Sequence, residues 1–136
     1  MEILLVEESG KVPVSVLKLK GELDAASYRD LIAKAQKLYD NGARNLILDL
    51  TDLEYISSAG LAALHIVSRL FMGEQASDED GWESFKAIDR ERENGKQVSV
   101  KLFNPSENID AVLDTVGFKK FFDVFTDRDE AIQSFG

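Results

Sequence analysis

Two adjacent serines, Ser57 and Ser58, stand directly before the small-residue run Ala59-Gly60-Leu61-Ala62-Ala63-Leu64. This spacing predicts a hydroxyl at the first turn of a helix, where backbone N–H groups lack partners and the helix dipole is positive. The bland use of such a serine is a helix N-cap. The alternative use is as an acceptor, because a phosphate placed there adds close to two negative charges at one spot. Ala59 and Gly60 leave the helix start bare, so the backbone of another molecule can approach it closely. Asp24, Asp49, Asp52 and Glu54 are the acidic candidates around this point. Asp24 is expected to follow the second strand and Asp49 to end the third, which places both near Ser58, since functional groups of parallel α/β sheets gather at the carboxyl ends of strands. Asp52 and Glu54 are expected to be solvated. His65 lies seven positions beyond Ser58, about two helical turns and roughly 10 Å along the axis. It cannot hydrogen-bond Ser58 within one helix, so Ser58, Asp24 and His65 do not read as a hydrolase triad.

The elements that position these residues follow from periodicity. Glu2 to Glu7, with the apolar run Ile3 to Val6, reads as a strand, Glu8 to Lys11 as a turn, and Val12 to Leu19 as a second, antiparallel strand. Pro13 belongs at that strand's start or open side because it lacks an N–H. Gly21-Glu-Leu-Asp24 is expected to leave the sheet, and Ser27-Tyr-Arg-Asp30 fits a capping box. Apolar residues at helical spacing run from Tyr28 to Tyr39, ended by Asn41-Gly42. A buried strand over 45–50, a polar bend through Thr51 and Glu54, and a helix from Ser58 to Met72 come next. Residues 73–96 are acidic and glycine-containing, with Trp82, Phe85 and Ile88 as a possible short amphipathic helix; they read as an insertion. Val98 to Phe103 is a strand and Ser106 caps a helix that Gly117 terminates. Phe121 to Phe125 is a short strand, and Thr126 or Asp127 caps the last helix. Alternation of strands and helices after the first pair implies a mostly parallel sheet covered by helices.

Composition narrows the chemistry. The 136 residues suit one domain with a real core. There is no cysteine and a single histidine, which excludes disulfides, thiolate metal sites and a His-rich metal centre. A net charge of −9 disfavours nucleic acid and anionic lipid as partners, because polyanion binding needs clustered Lys and Arg. No apolar run reaches the length of a membrane span, and the N-terminus lacks the pattern of a secretory signal. A cytoplasmic location is the expectation.

The segment Leu46-Ile-Leu-Asp-Leu-Thr-Asp-Leu-Glu-Tyr-Ile-Ser-Ser-Ala-Gly-Leu61 resembles the signature of STAS domains, specifically bacterial anti-sigma factor antagonists, and Gly21-Glu-Leu-Asp24 resembles that family's other recurrent segment. The resemblance implies an α/β STAS fold: a mostly parallel mixed sheet of about five strands with an N-terminal antiparallel pair, covered by about four helices. It implies a single domain over 1–136 with the acidic insertion at about 73–96. It also implies a partner switch. The unmodified antagonist binds an anti-sigma factor that is an ATP-dependent serine kinase, phosphorylation of one serine at the helix start breaks the complex, and a serine phosphatase resets it. Ser58 takes the acceptor position, with Asp24, Ser57, Ala59 and Gly60 at the docking site, and no cofactor or catalysis belongs to the chain itself. Many members have Asp where this chain has Ser57, and a second Ser or Thr where it has Ala59. Some relatives act as unmodified scaffolds or accessory subunits. A rival resemblance is to a response-regulator receiver, with Ile3-Leu-Leu-Val-Glu-Glu8 as its opening and Asp49 as phosphoacceptor; it requires a helix, rather than a strand, after the first strand.

Overall fold

The structure, a computed structural model, describes residues 1–73 and 97–136. Five strands lie in the order β1-β2-β3-β4-β5: β1 (Glu2–Ser9), β2 (Pro13–Leu23), β3 (Leu46–Ile56), β4 (Gln97–Phe103) and β5 (Phe122–Phe125). Five helices accompany them among the described residues: α1 (Tyr28–Asp40), α2 (Ser58–Leu70), α3 (Glu107–Thr115), α4 (Phe118–Phe121) and α5 (Arg128–Gln133). β1 and β2 form an antiparallel hairpin, and every later pairing is parallel. Pro13 opens β2, where its missing N–H disrupts no ladder. This hairpin removes the receiver reading, since no helix follows the first strand. The acidic insertion, with Trp82, Phe85 and Ile88, lies outside the described residues.

The sheet has two unequal faces. Alternate residues Leu17 and Leu19 of β2, Leu46, Leu48 and Leu50 of β3, and Val100 and Leu102 of β4 point to one face. There they meet Leu31, Ile32, Ala35 and Leu38 of α1, Leu64 and Val67 of α2, Ile109 and Leu113 of α3, and Phe118 and Phe121 of α4. Each fully buried Leu or Phe contributes about 1.5–3 kcal/mol of transfer free energy, so this layer carries most of the stability. The other face is smaller: Val14, Val16 and Ile47 pack under Ala131 and Ile132 of α5 and Phe135.

Four local expectations change. Gly21-Glu-Leu-Asp24 does not leave the sheet at Gly21. β2 continues to Leu23 by register shifts between Lys18 and Lys20 and between Gly21 and Glu22, with Gly21 at φ +106°, a conformation glycine adopts without steric cost. The bend expected at Thr51 to Glu54 is likewise strand. β3 runs on to Ile56 because Leu53 and Ile56 still bury one side while Thr51, Asp52 and Glu54 face water. β4 pairs with β3 only from Leu46 to Asp49, so the ends of β2 and β3 project together past the rest of the sheet. The capping box at Ser27 is also absent. Ser27 precedes α1 without a side-chain cap bond; its hydroxyl turns back toward the preceding turn. Finally, the turn α4 (Phe118–Phe121) follows Gly117, whose φ of +84° reverses the chain after α3. This makes five described helices rather than about four.

Candidate functional site

The projecting ends of β2 and β3 bring two chain segments together. Leu23 pairs with Ile56, so Asp24 and Ser57 follow the ends of neighbouring parallel strands. The Leu23 carbonyl accepts from Ser57 N–H at 3.0 Å and fixes the point where α2 begins. At that point the two serines divide. Ser57 is the N-cap, with extended backbone (φ −96°, ψ 178°), and its Oγ accepts from Gly60 N–H at 3.2 Å. Ser58 is the first helical residue and is exposed. Its hydroxyl makes no hydrogen bond to another described residue. The capping duty and the free hydroxyl therefore sit on different side chains. No acidic residue occupies the first turn of α2, so the positive end of the helix dipole there is not offset locally.

Gly60 has a different reason for being small than the sequence suggested. It is buried, and a Cβ built on it overlaps the Leu23 carbonyl oxygen and comes within 2.8 Å of Ile56 Cγ1. The bare position admits the chain's own β2, so Gly60 does not offer a surface to a visitor. Ala59 remains half-buried beside Ser58.

Asp24 is half-buried and works within its own turn. Its Oδ1 accepts from Ala26 N–H at 3.0 Å and from Ser27 Oγ at 3.2 Å. Ser27 is buried; its hydroxyl donates to the Glu22 carbonyl at 2.8 Å and accepts from Asp24 N–H at 3.1 Å. No hydrogen bond joins Asp24 to Ser57 or Ser58. Asp24 thus shapes the turn beside the start of α2.

The structure moves Asp49 away from this place. It lies within β3, eight residues before Ser57, more than roughly 20 Å along an extended strand. Buried, it accepts from Thr51 N–H at 3.0 Å and Thr51 Oγ1 at 2.6 Å, while Asn104 Nδ2 donates to Thr51 Oγ1 at 3.2 Å. Asp52 and Glu54 are exposed. The aromatic ring of Tyr55, 52% exposed at the β3 end, was not singled out in the sequence; the signal was an aromatic between two positions, Leu53 and Ile56, that a one-sided strand buries. His65 is 1% exposed and packs edge-to-face on Phe121, ring centroids 6.0 Å apart. It is a core residue of α2, separated from the exposed Ser58.

Electrostatic perturbation lies elsewhere. Lys101, on the α5 side of the sheet, is buried with Nζ donating to Ser134 O at 3.2 Å and Ser134 Oγ at 2.9 Å, and lying 4.5 Å from the Phe135 ring centroid. Burial holds its pKa below the ordinary lysine value, and the Asp123 carboxylate opposes that effect. Among the described residues no group of His, Asp and Glu is arranged to hold a metal ion, and no helix is long and apolar enough to cross a membrane.

An antiparallel hairpin, a parallel sheet, and a capped helix start projecting beyond it are the features of a STAS domain. The family model described as "Mlab, STAS domain" matches residues 6–77, just over half of the chain, and the chain belongs to that family. No curated protein matches it. Solved structures share its fold. The anti-sigma factor antagonist SpoIIAA in its unphosphorylated form is 18% identical, covers 95% of this chain and 91% of its own, and superposes with a TM-score of 0.53. An anti-sigma factor antagonist from Mycobacterium paratuberculosis is 18% identical over 98% of this chain and 93% of its own, with a TM-score of 0.65. The Bacillus cell fate determinant SpoIIAA in the phosphorylated form is 19% identical over 96% of each chain, with a TM-score of 0.54. At these identities the likeness is one of fold.

Proposed function

We propose that this STAS domain is a cytoplasmic protein-binding switch, an anti-sigma factor antagonist whose partner docks over the start of α2 and is released when Ser58 is phosphorylated. The observation that carries this reading is the division of labour between the serines. Ser57 caps the helix, which leaves the exposed Ser58 hydroxyl free for chemistry. A phosphate on Ser58 sits at the positive end of α2, so it costs the fold little. The same dianion in the centre of a protein interface is a buried charge that the unmodified complex has no partner for. Such charges cost 2–5 kcal/mol or more, equivalent to roughly 30-fold to several-thousand-fold in affinity. The kinase, with its ATP and Mg²⁺, is the anti-sigma partner, and a serine phosphatase removes the phosphate. Ala59, Ser57 and the exposed Tyr55 frame the docking surface, and Asp24 holds the neighbouring turn in shape.

A second reading keeps the surface and drops the modification: an unphosphorylated accessory subunit. The sequence around the acceptor favours it, because Ser57 and Ala59 stand where many antagonists carry Asp and a second Ser or Thr. The two separate in one experiment. The chain is isolated from its native cells, fractionated into partner-bound and free pools, and its phosphosites are mapped. Phosphate on Ser58 in the free pool and none in the bound pool is the expected result. Partner binding with no phosphate in either pool establishes the accessory subunit, and phosphate on another residue removes Ser58 as the switch.

A further inference from the structure

We propose that two copies of this chain pair through β1, strand against strand, so that their sheets join into one. The inference does not rest on the Ser58 reading, because no residue of the Ser58 surface takes part. β1 is the terminal strand of the sheet, and among the described residues it pairs only with β2. Its outer edge therefore carries backbone N–H and C=O groups without a ladder partner, which is a template for another strand. The usual guards of such an edge are missing. The pairing with β2 runs from Glu2 to Ser9 without a register shift, and β1 holds no proline or lysine. Both faces of the strand are apolar and open near its middle. Leu4, on the α5 side, is 59% exposed, and Leu5, on the helix-covered side, is 44% exposed.

The occupant is a second copy because β1 is complementary to itself. The apolar run Ile3 to Val6 lies between Glu2 and Glu7. Consider an antiparallel pairing whose two-fold axis passes through Leu4, perpendicular to the sheet. It sets Leu4 against Leu4, Ile3 against Leu5, Glu2 against Val6 and Met1 against Glu7 of the second copy. No like charges are opposed, and facing residues share one side of the sheet, so apolar meets apolar on both faces. Moving the axis to Leu5 sets Glu2 against Glu8, which repulsion disfavours. The acids of β1 are already met within their own chain. Glu8 pairs with Arg128 at 3.2 Å, Glu7 accepts from Ser15 Oγ at 3.0 Å, and Glu2 lies opposite Lys20. Across the seam Glu7 comes beside the second copy's cleft of about 400 Å³, whose charged lining is Asp30, Lys34 and Lys37, two bases to one acid. Arg44, in the cleft on Glu7's own side, donates to the Tyr39 and Ala43 carbonyls. The two β1 strands run in opposite directions, so the two α2 starts lie at opposite ends of the joined sheet, away from the seam.

The chain has no cysteine, so a single introduced thiol reports the register. Opposed residues of an antiparallel pair have Cα atoms about 4.5–5.5 Å apart, within the span of a disulfide. Leu4→Cys should therefore give a covalent dimer on mild air oxidation of the folded chain. Val6→Cys alone should not, since its two thiols lie about 13 Å apart along the strands, but it should cross-link to Glu2→Cys when the two are mixed. Sedimentation equilibrium of the parent chain over about a hundredfold range of concentration should show monomer and dimer in exchange. Leu4→Glu lies beside its own Lys18 but faces a second glutamate across the seam. It should keep the circular dichroism of the parent and sediment as a monomer. A parent that stays monomeric throughout, Val6→Cys that cross-links as fast as Leu4→Cys, or a dimer that a folded Leu4→Glu leaves intact overturns the proposal. Where Leu4→Glu does not fold, the cross-linking pattern and the sedimentation of the parent decide.

Discussion

Ser57→Ala and Ser58→Asp should move the stability of the domain in opposite directions, although the two residues are neighbours. Ser57 Oγ accepts from Gly60 N–H at 3.2 Å, and Gly60 is buried beneath Leu23. Truncation to alanine leaves that N–H without an acceptor in a place water does not reach. The loss of an N-cap costs about 1–2 kcal/mol, and the burial of Gly60 puts this case toward the upper end. For a chain of this length each kcal/mol is about 4 °C, so the midpoint should fall by roughly 6 °C. Ser58 gives up no hydrogen bond to a described residue when replaced. Its aspartate sits in the first turn of α2, which holds no acidic side chain, and gains about 0.3–1 kcal/mol from the helix dipole. The midpoint should hold or rise by a few degrees, less so at high salt. Urea unfolding read by circular dichroism, with the slope m checked for constancy, measures both. In the same preparations Ser58→Asp should lose partner binding and Ser57→Ala should retain it at temperatures where it is folded. A destabilisation above 1 kcal/mol in Ser58→Asp, or none in Ser57→Ala, would show that the capping assignment is inverted and that Ser58 is structural.

Gly60→Ala should destabilise by about 1–3 kcal/mol despite alanine's better helix propensity, because the new methyl displaces the Leu23 carbonyl that also holds Ser57 N–H; an unchanged or raised urea midpoint refutes the close approach. Ser27→Ala removes three hydrogen bonds of the turn between Glu22 and α1 and should cost about 1–2 kcal/mol, seen as a lower melting temperature, while partner affinity changes little. Lys101 bears on alkaline stability. Its folded pKa lies below its ordinary 10.5, so the unfolded chain binds the proton more tightly, and this residue's contribution to stability rises as pH climbs from the folded pKa toward 10.5. The difference in unfolding free energy between the parent and Lys101→Met should therefore shift in favour of the parent at high pH, and a pH-independent difference excludes the burial effect.

Much of the architecture was legible in one dimension because the signals were local. Alternation in Val12 to Leu19, helical spacing from Tyr28 to Tyr39, and the apolar run at Leu46 gave the hairpin, α1 and the start of β3. The Ser106 and Asp127 caps, which accept from Ile109 and Glu130 N–H, also follow from residue type three positions ahead of a helical run. The polar stretch Thr51 to Glu54 misled for a physical reason. A strand buried on one side only shows the sequence pattern of a bend once a register shift breaks its strict alternation. Ser27 misled similarly: the residue types of a capping box were present, but the Glu22 carbonyl and Asp24 held the hydroxyl first.

What the sequence by itself determined is the order of elements and the presence of a serine pair at a helix start, since propensity, capping chemistry and periodicity act between residues a few positions apart. Which serine caps and which is free, why position 60 must be glycine, and how far Asp49 lies from both were decided only in three dimensions. Each depends on where the end of β2 meets the start of α2, and that meeting joins Leu23 to Ser57 and Gly60 across more than thirty residues of chain. A contact of that range leaves no trace in local pattern, because the geometry that forces it exists only once both strands share a sheet.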